Sequence, residues 1–159
     1  MARYNPVSMS TIKTPCIGIC STTSLGDKIC RGCKRFGFEV INWNQYQDVE
    51  KRAVLNRIDQ LTRQIMAPRF HIFSVDRLQQ ALDDYRFFYD PQMSPHCWLH
   101  NFMQKRHYQI RDLADLGVEL TPQYAHMDLR DLLGEVNDEL FQLSLAHFER
   151  YFDTFHKGY

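Results

Sequence analysis

Four cysteines near the start of the chain, Cys16, Cys20, Cys30 and Cys33, carry the chemistry most readily read from residue types and spacing. They stand as Cys-x3-Cys and Cys-x2-Cys with nine residues between the pairs, and the rest of the chain holds one more cysteine, Cys97. Thiolate sulfur is a soft ligand that suits zinc and iron–sulfur clusters. Two residues between cysteines let the backbone turn so that both sulfurs reach one metal, with amides of the turn free to donate to sulfur. Gly32 is expected to relieve that turn of the left-handed penalty, and Gly18 to do the same inside the wider pair. Pro15 is expected to set the approach to Cys16. Both pairs lie within the Cys-x2–4-Cys range of zinc sites. The gap matches neither common ferredoxin pattern, so spacing alone leaves zinc and iron–sulfur open. A thioredoxin-like role for Cys30 and Cys33 would need a strand leading into the first cysteine; a polar loop over residues 21–28 precedes it instead.

Thr14, Pro15, Cys16 and Cys20, then Cys30, Gly32, Cys33, Arg35, Glu39 and Trp43, form a longer pattern. On these residues the chain resembles the bacterial domain-of-unknown-function 1289 family over about residues 14–65. Phe36 stands where a threonine is expected. The resemblance implies a small iron–sulfur protein with Cys16, Cys20, Cys30 and Cys33 as ligands. Arg31, Lys34 and Arg35 surround the second pair, with Phe36 and Phe38 following. Basic and aromatic residues so interleaved are candidate contacts for nucleic acid or a protein partner. They are equally suited to screening the charge of the thiolates.

Other ligand-type residues are sparser. His96 and His100 share a helix face by their spacing of four, with Cys97 between them and His107 two turns on. Capping or core roles outweigh metal binding there, because no helix offers the Glu-x-x-His pattern of a di-iron bundle. Cys97 reads as a small buried hydrophobe, His147 as a hydrogen-bonded core residue, and Asp153 with His156 as a solvated pair. No nucleophile–base pairing, phosphate loop or carboxylate set marks an enzyme.

The elements that must position the cysteines read as helices. Val54, Ile58, Leu61 and Ile65 recur at spacings of four and three on a helix expected from Asn44 to Met66. Ala67-Pro68 interrupts it and is taken as a boundary. Ser74 caps a second helix with Val75, Leu78, Leu82, Tyr85 and Tyr89, stopped at Asp90-Pro91. Ser94-Pro95 and Thr121-Pro122 start a third and a fourth, the third ending near Gly117. The fourth carries two stripes, one from Leu129 through Leu133, Val136 and Leu140 to Leu143. The other runs over Phe141, Leu145, Phe148, Phe152 and Phe155. A helix apolar on two sides is central in a bundle or lies in a subunit interface. The expectation is an all-α fold with a four-cysteine loop at one end and about four helices. Residues 1–13 would be a disordered tail, 14–67 the cysteine module and 68–159 a helical domain.

With 44% hydrophobic and 24% charged residues, the composition is that of an ordinary globular protein. No apolar run approaches the ~20 residues of a membrane helix, and the first residues lack the apolar stretch of a signal peptide. A cytoplasmic location follows as an expectation, and with it reduced thiols that favour metal over disulfides. The zero net charge divides unevenly: residues 1–67 hold ten basic and five acidic side chains. So modest an excess lends nucleic-acid binding little weight.

Overall fold

The computed structural model describes residues 12–152. The expected tail over residues 1–13 therefore lies almost wholly outside the described residues, as do Phe155 and the pair Asp153 and His156. Among the described residues the chain is mostly helical. In order come α1 (Ser21–Ser24), α2 (Gly37–Asn42), α3 (Asp48–Met66), β1 (Phe70–Ile72), α4 (Val75–Asp84), α5 (Pro95–Arg106), β2 (Val118–Leu120) and α6 (Leu129–Tyr151).

The fold is not strictly all-α. β1 and β2 pair antiparallel, with Phe70 opposite Leu120 and Ile72 opposite Val118. Strands of three residues are too short to show an alternation that stands out from coil. They are held by the elements around them: Phe70 and Val118 are fully buried, and α5 lies against β1 through the bond between His96 Nε2 and Phe70 O at 2.9 Å.

Helices start where the local signals place them when a side chain satisfies the helix end. The Ser74 hydroxyl accepts from Arg77 N–H and the Ser94 hydroxyl from Cys97 N–H, with Pro95 in the first turn. The start expected at Thr121-Pro122 makes only a short 3₁₀ turn, Pro122–Tyr124. α6 opens later because the Asp128 carboxylate accepts the N–H groups of Arg130 and Asp131. The helix expected from Asn44 likewise begins at Asp48, after α2 and a 3₁₀ turn. α5 stops at Arg106 and gives way to 3₁₀ turns before Gly117.

One apolar core runs from Trp43 and α3 through Leu78, Leu99, Phe102 and Met103 to Leu132, Val136 and Leu140. Residues on both sides of position 67 share it, since α3 packs against α5 and α6. A second, smaller cluster joins Ile29 and Phe36 of the cysteine module to Phe141, with Leu145 and Phe148 against it. The two stripes of α6 thus serve two cores: one closes the bundle and the other seats the cysteine module.

Two positions in this frame predict measurable effects. Gly117 sits at φ +71°, its carbonyl accepts from the N–H groups of Phe73 and Ser74, and a β-carbon there would lie 2.5 Å from Ser74 O. Gly117→Ala combines the left-handed penalty with a backbone clash. It is expected to lower stability by about 2–3 kcal/mol, read as a shift in the urea midpoint.

His100 is buried between α5 and α6, where Asn137 Oδ1 accepts from its Nε2 at 3.0 Å and from Gln104 Nε2 at 3.1 Å. Burial pushes its pKa down to about 4 against the Asn137 bond, with the Lys34 ammonium nearby adding to the shift. The unfolded chain takes up this proton near the ordinary value of about 6.5, the folded chain only near 4. The contribution to stability is therefore complete above about pH 6.5 and is lost as the pH falls through 4. It amounts to about 3 kcal/mol. His100→Gln should flatten this dependence in urea titrations between pH 7 and 4; an unchanged slope would assign the acid sensitivity elsewhere.

Candidate metal centre

The second cysteine pair sits in a hairpin. Cys30 N–H donates to Arg35 O at 2.9 Å, Lys34 N–H to Cys30 O at 2.8 Å, and Ile29 bridges Phe36. The left-handed residue of this turn is Lys34, at φ +65°, not Gly32 as expected. Gly32 is required for a different reason. A β-carbon there would meet Ile17 Cγ1 at 2.7 Å and Ile19 O at 3.2 Å. The Cys16–Cys20 stretch lies directly on the Cys30–Cys33 turn, and a side chain at position 32 would prise them apart.

Sulfur environments follow from this contact. Cys30 is buried, which raises its pKa, yet the amides of Cys33, Ser21 and Gly32 donate toward its sulfur and the net shift is downward. Its thiol also reaches Ile19 O at 3.6 Å. Ser21 immediately follows Cys20, so one pair supplies an amide to a sulfur of the other. Ser21 is itself fixed, its hydroxyl accepting from Arg31 N–H at 2.8 Å and donating to Ile29 O. Burial raises the Cys33 thiol, opposed by Arg35, whose Nε donates to Cys33 Sγ at 3.3 Å. Gly18 N–H points at Cys16 Sγ at 3.4 Å, the glycine standing at φ +101° as anticipated. Cys20 is turned to the Thr22 hydroxyl at 3.0 Å, and that bond is the largest cause lowering its pKa to about 7.

All five described cysteines are free thiols. Among the described residues no group of three or more His, Cys, Asp or Glu side chains is gathered around a common metal position. The two cysteine segments are brought together; the four sulfurs are not closed on one point. The donor chemistry nonetheless fits a thiolate-held group. Amides address Cys16 and Cys30, a guanidinium addresses Cys33, and the buried Lys34 ammonium lies in the field of Cys33 and Cys30.

The three basic residues divide. Lys34 and Arg35 are 3% and 4% exposed, so they do not face an outside partner. Lys34 Nζ donates to the carbonyls of Arg31 and Gly32, and burial brings its pKa down to about 8. Arg35 spreads over Trp43 at 4.9 Å. Arg31 alone of the three is exposed, paired with Asp27 at 3.2 Å.

Glu39 and Arg57 form a support that the residue pattern hid. The Arg57 guanidinium pairs with Glu39 at 2.6 and 2.7 Å, Glu39 accepts Phe36 N–H at 2.9 Å, and Arg57 stacks on Phe36 at 3.8 Å. The pair ties the end of the hairpin to α3 across 18 residues, a span with no local signal. Of the other ligand-type residues, His96 and His100 are occupied by Phe70 O and Asn137, and His107 lies against Tyr108. His147 packs on Phe36 and Tyr151. Cys97 is buried and its thiol is pushed up to about 12, chiefly by that burial.

Residues 14–62 match a family described as "Protein of unknown function (DUF1289)". The match covers the hairpin, its Glu39 support and most of α3. Within it the chain is similar to "Uncharacterized protein YdhL" of Escherichia coli strain K12, 46% identical over 44 residues, or 28% of this chain and 53% of that protein. The protein of the same description from Shigella flexneri matches equally. The chain thus spans about half the length of the curated relatives it matches. No solved structure matches the chain.

Proposed function

We propose that residues 14–35 form a four-thiolate metal module that holds an iron–sulfur cluster through Cys16, Cys20, Cys30 and Cys33. Its role is electron transfer, or sensing of iron or oxidation, relayed to a protein partner rather than catalysis. One observation carries the reading: the Cys16–Cys20 stretch lies directly on the Cys30–Cys33 turn at Gly32, beside the Arg35 Nε contact with Cys33 Sγ at 3.3 Å. A cluster held there would supply one-electron chemistry. N–H groups and cations at the sulfurs are what adjusts its potential. Cys20 must exchange its Thr22 hydroxyl for the metal. Ile19 and Leu25, 73% and 75% exposed beside the thiols, offer a partner an apolar contact.

A structural zinc module that binds nucleic acid or a protein is the second reading. The tight Cys30–Cys33 turn favours it, because Cys-x2-Cys turns are common zinc supports. Burial of Lys34 and Arg35 speaks against its nucleic-acid form. Among the described residues no helix is long and apolar enough to cross a membrane. Metal and acid-labile sulfide analysis with an absorption spectrum, on anaerobically purified protein, separates the readings. Iron with sulfide and a brown colour that bleaches on reduction supports the first. Colourless protein with stoichiometric zinc selects the second, and protein with neither metal removes both.

A further inference from the structure

A cavity of about 610 Å³ opens between residues 12–17, α3, the segment 86–93 and α5. That volume suits a small organic ligand. Leu55, Ile58 and Met93 give it an apolar floor. Five basic side chains line it, Lys13, Arg52, Arg86, Lys105 and Arg106, against one acid, Asp90. The acid is already committed: Arg52 pairs with it at 2.6 Å and Gln92 N–H donates to it at 3.0 Å. Among the described residues this is the one ion pair in the lining. Arg106 spends a donor on Tyr85 O at 2.7 Å, while among the described residues Lys13, Arg86 and Lys105 have no carboxylate partner.

The cations sit at aromatic faces. Lys13 Nζ lies 3.8 Å from the Phe88 ring, and Lys105 and Arg106 lie 5.9 and 5.5 Å from Phe87. Apolar walls around unbalanced positive charge concentrate a positive potential in the cavity. We infer that this cavity binds a small organic anion, a carboxylate, sulfonate or phosphate carried on an aromatic or aliphatic body. The body lies over Leu55, Ile58 and Phe87, and the acid group is taken by Lys13 and Lys105. Cys16 and Cys33 also line the cavity, so an occupant touches the module directly. The inference rests on the cavity and its charges rather than on the proposed metal.

The test titrates the full chain, as isolated, with the aromatic sulfonate 8-anilinonaphthalene-1-sulfonate and with the neutral N-phenyl-1-naphthylamine, by calorimetry and fluorescence. Saturable sulfonate binding is expected, at least ~10-fold tighter than that of the neutral probe and weakened by salt. Lys13→Gln combined with Lys105→Gln should weaken it a further ~10-fold or more, with thermal unfolding confirming that the variant folds. Arg130→Gln, which alters a separate cavity, should leave it unchanged. Equal affinity for both probes, no saturable binding, or identical losses in the double variant and Arg130→Gln would each overturn the inference. The two-probe comparison on the unaltered chain decides the matter even if the double variant fails to fold.

Discussion

Cys30→Ser is expected to strip the proposed four-thiolate centre of most of its metal. A four-ligand thiolate site contributes about 10–16 kcal/mol in the well-measured zinc cases. Losing one sulfur then costs on the order of 3 kcal/mol, ~100-fold or more in affinity. Cys30 is the most informative of the four because three amides address its sulfur; serine would leave them aimed at a poorer ligand. Arg35→Gln removes the guanidinium on Cys33 together with its stacking on Trp43 and should weaken the site by ~10–100-fold, the usual effect of losing a supporting contact. Cys97→Ala should leave metal content unchanged, since Cys97 lies in the main core. Metal per chain and the absorption spectrum, compared across the three variants, are the readouts. Equal metal content in Cys30→Ser and the unaltered chain would end the proposal.

Arg57→Met is expected to destabilise the fold by about 3–5 kcal/mol, the usual cost of stranding one partner of a buried ion pair. The Glu39 side chain is 5% exposed, so its carboxylate would keep only the Phe36 N–H. The loss is a large share of the roughly 5–15 kcal/mol that holds a domain together. Glu39→Gln added to Arg57→Met should recover part of it, because a neutral amide tolerates the site better than an orphaned charge. A double-mutant cycle on urea midpoints gives the coupling. A change under about 1 kcal/mol in Arg57→Met would mean that the pair behaves as a surface one. The pair also anchors the hairpin, so Arg57→Met should weaken metal retention while leaving all four cysteines intact.

Glu39 illustrates what a residue pattern conceals. Only a family resemblance marks it in the sequence, and nothing in its neighbourhood announces a partner 18 residues away. Lys34 and Arg35 were the reverse case. Their charges suggested a surface, yet both are buried, Arg35 over Trp43 and Lys34 on the carbonyls of Arg31 and Gly32, and they face inward beside the second cysteine pair. The two stripes on α6 were legible, but not that one of them seats the cysteine module on Phe36.

Sequence alone determined the features that neighbouring residues decide: the two cysteine pairs, the serine caps of α4 and α5, and a largely helical chain. Each is a local matter of spacing, backbone conformation or a side chain satisfying nearby amides. Tertiary structure decided the β1–β2 pairing, the late start of α6, the need for glycine at position 32 under Ile17, and the charged cavity. Those depend on groups far apart in the chain, whose meeting is governed by packing that no local pattern encodes.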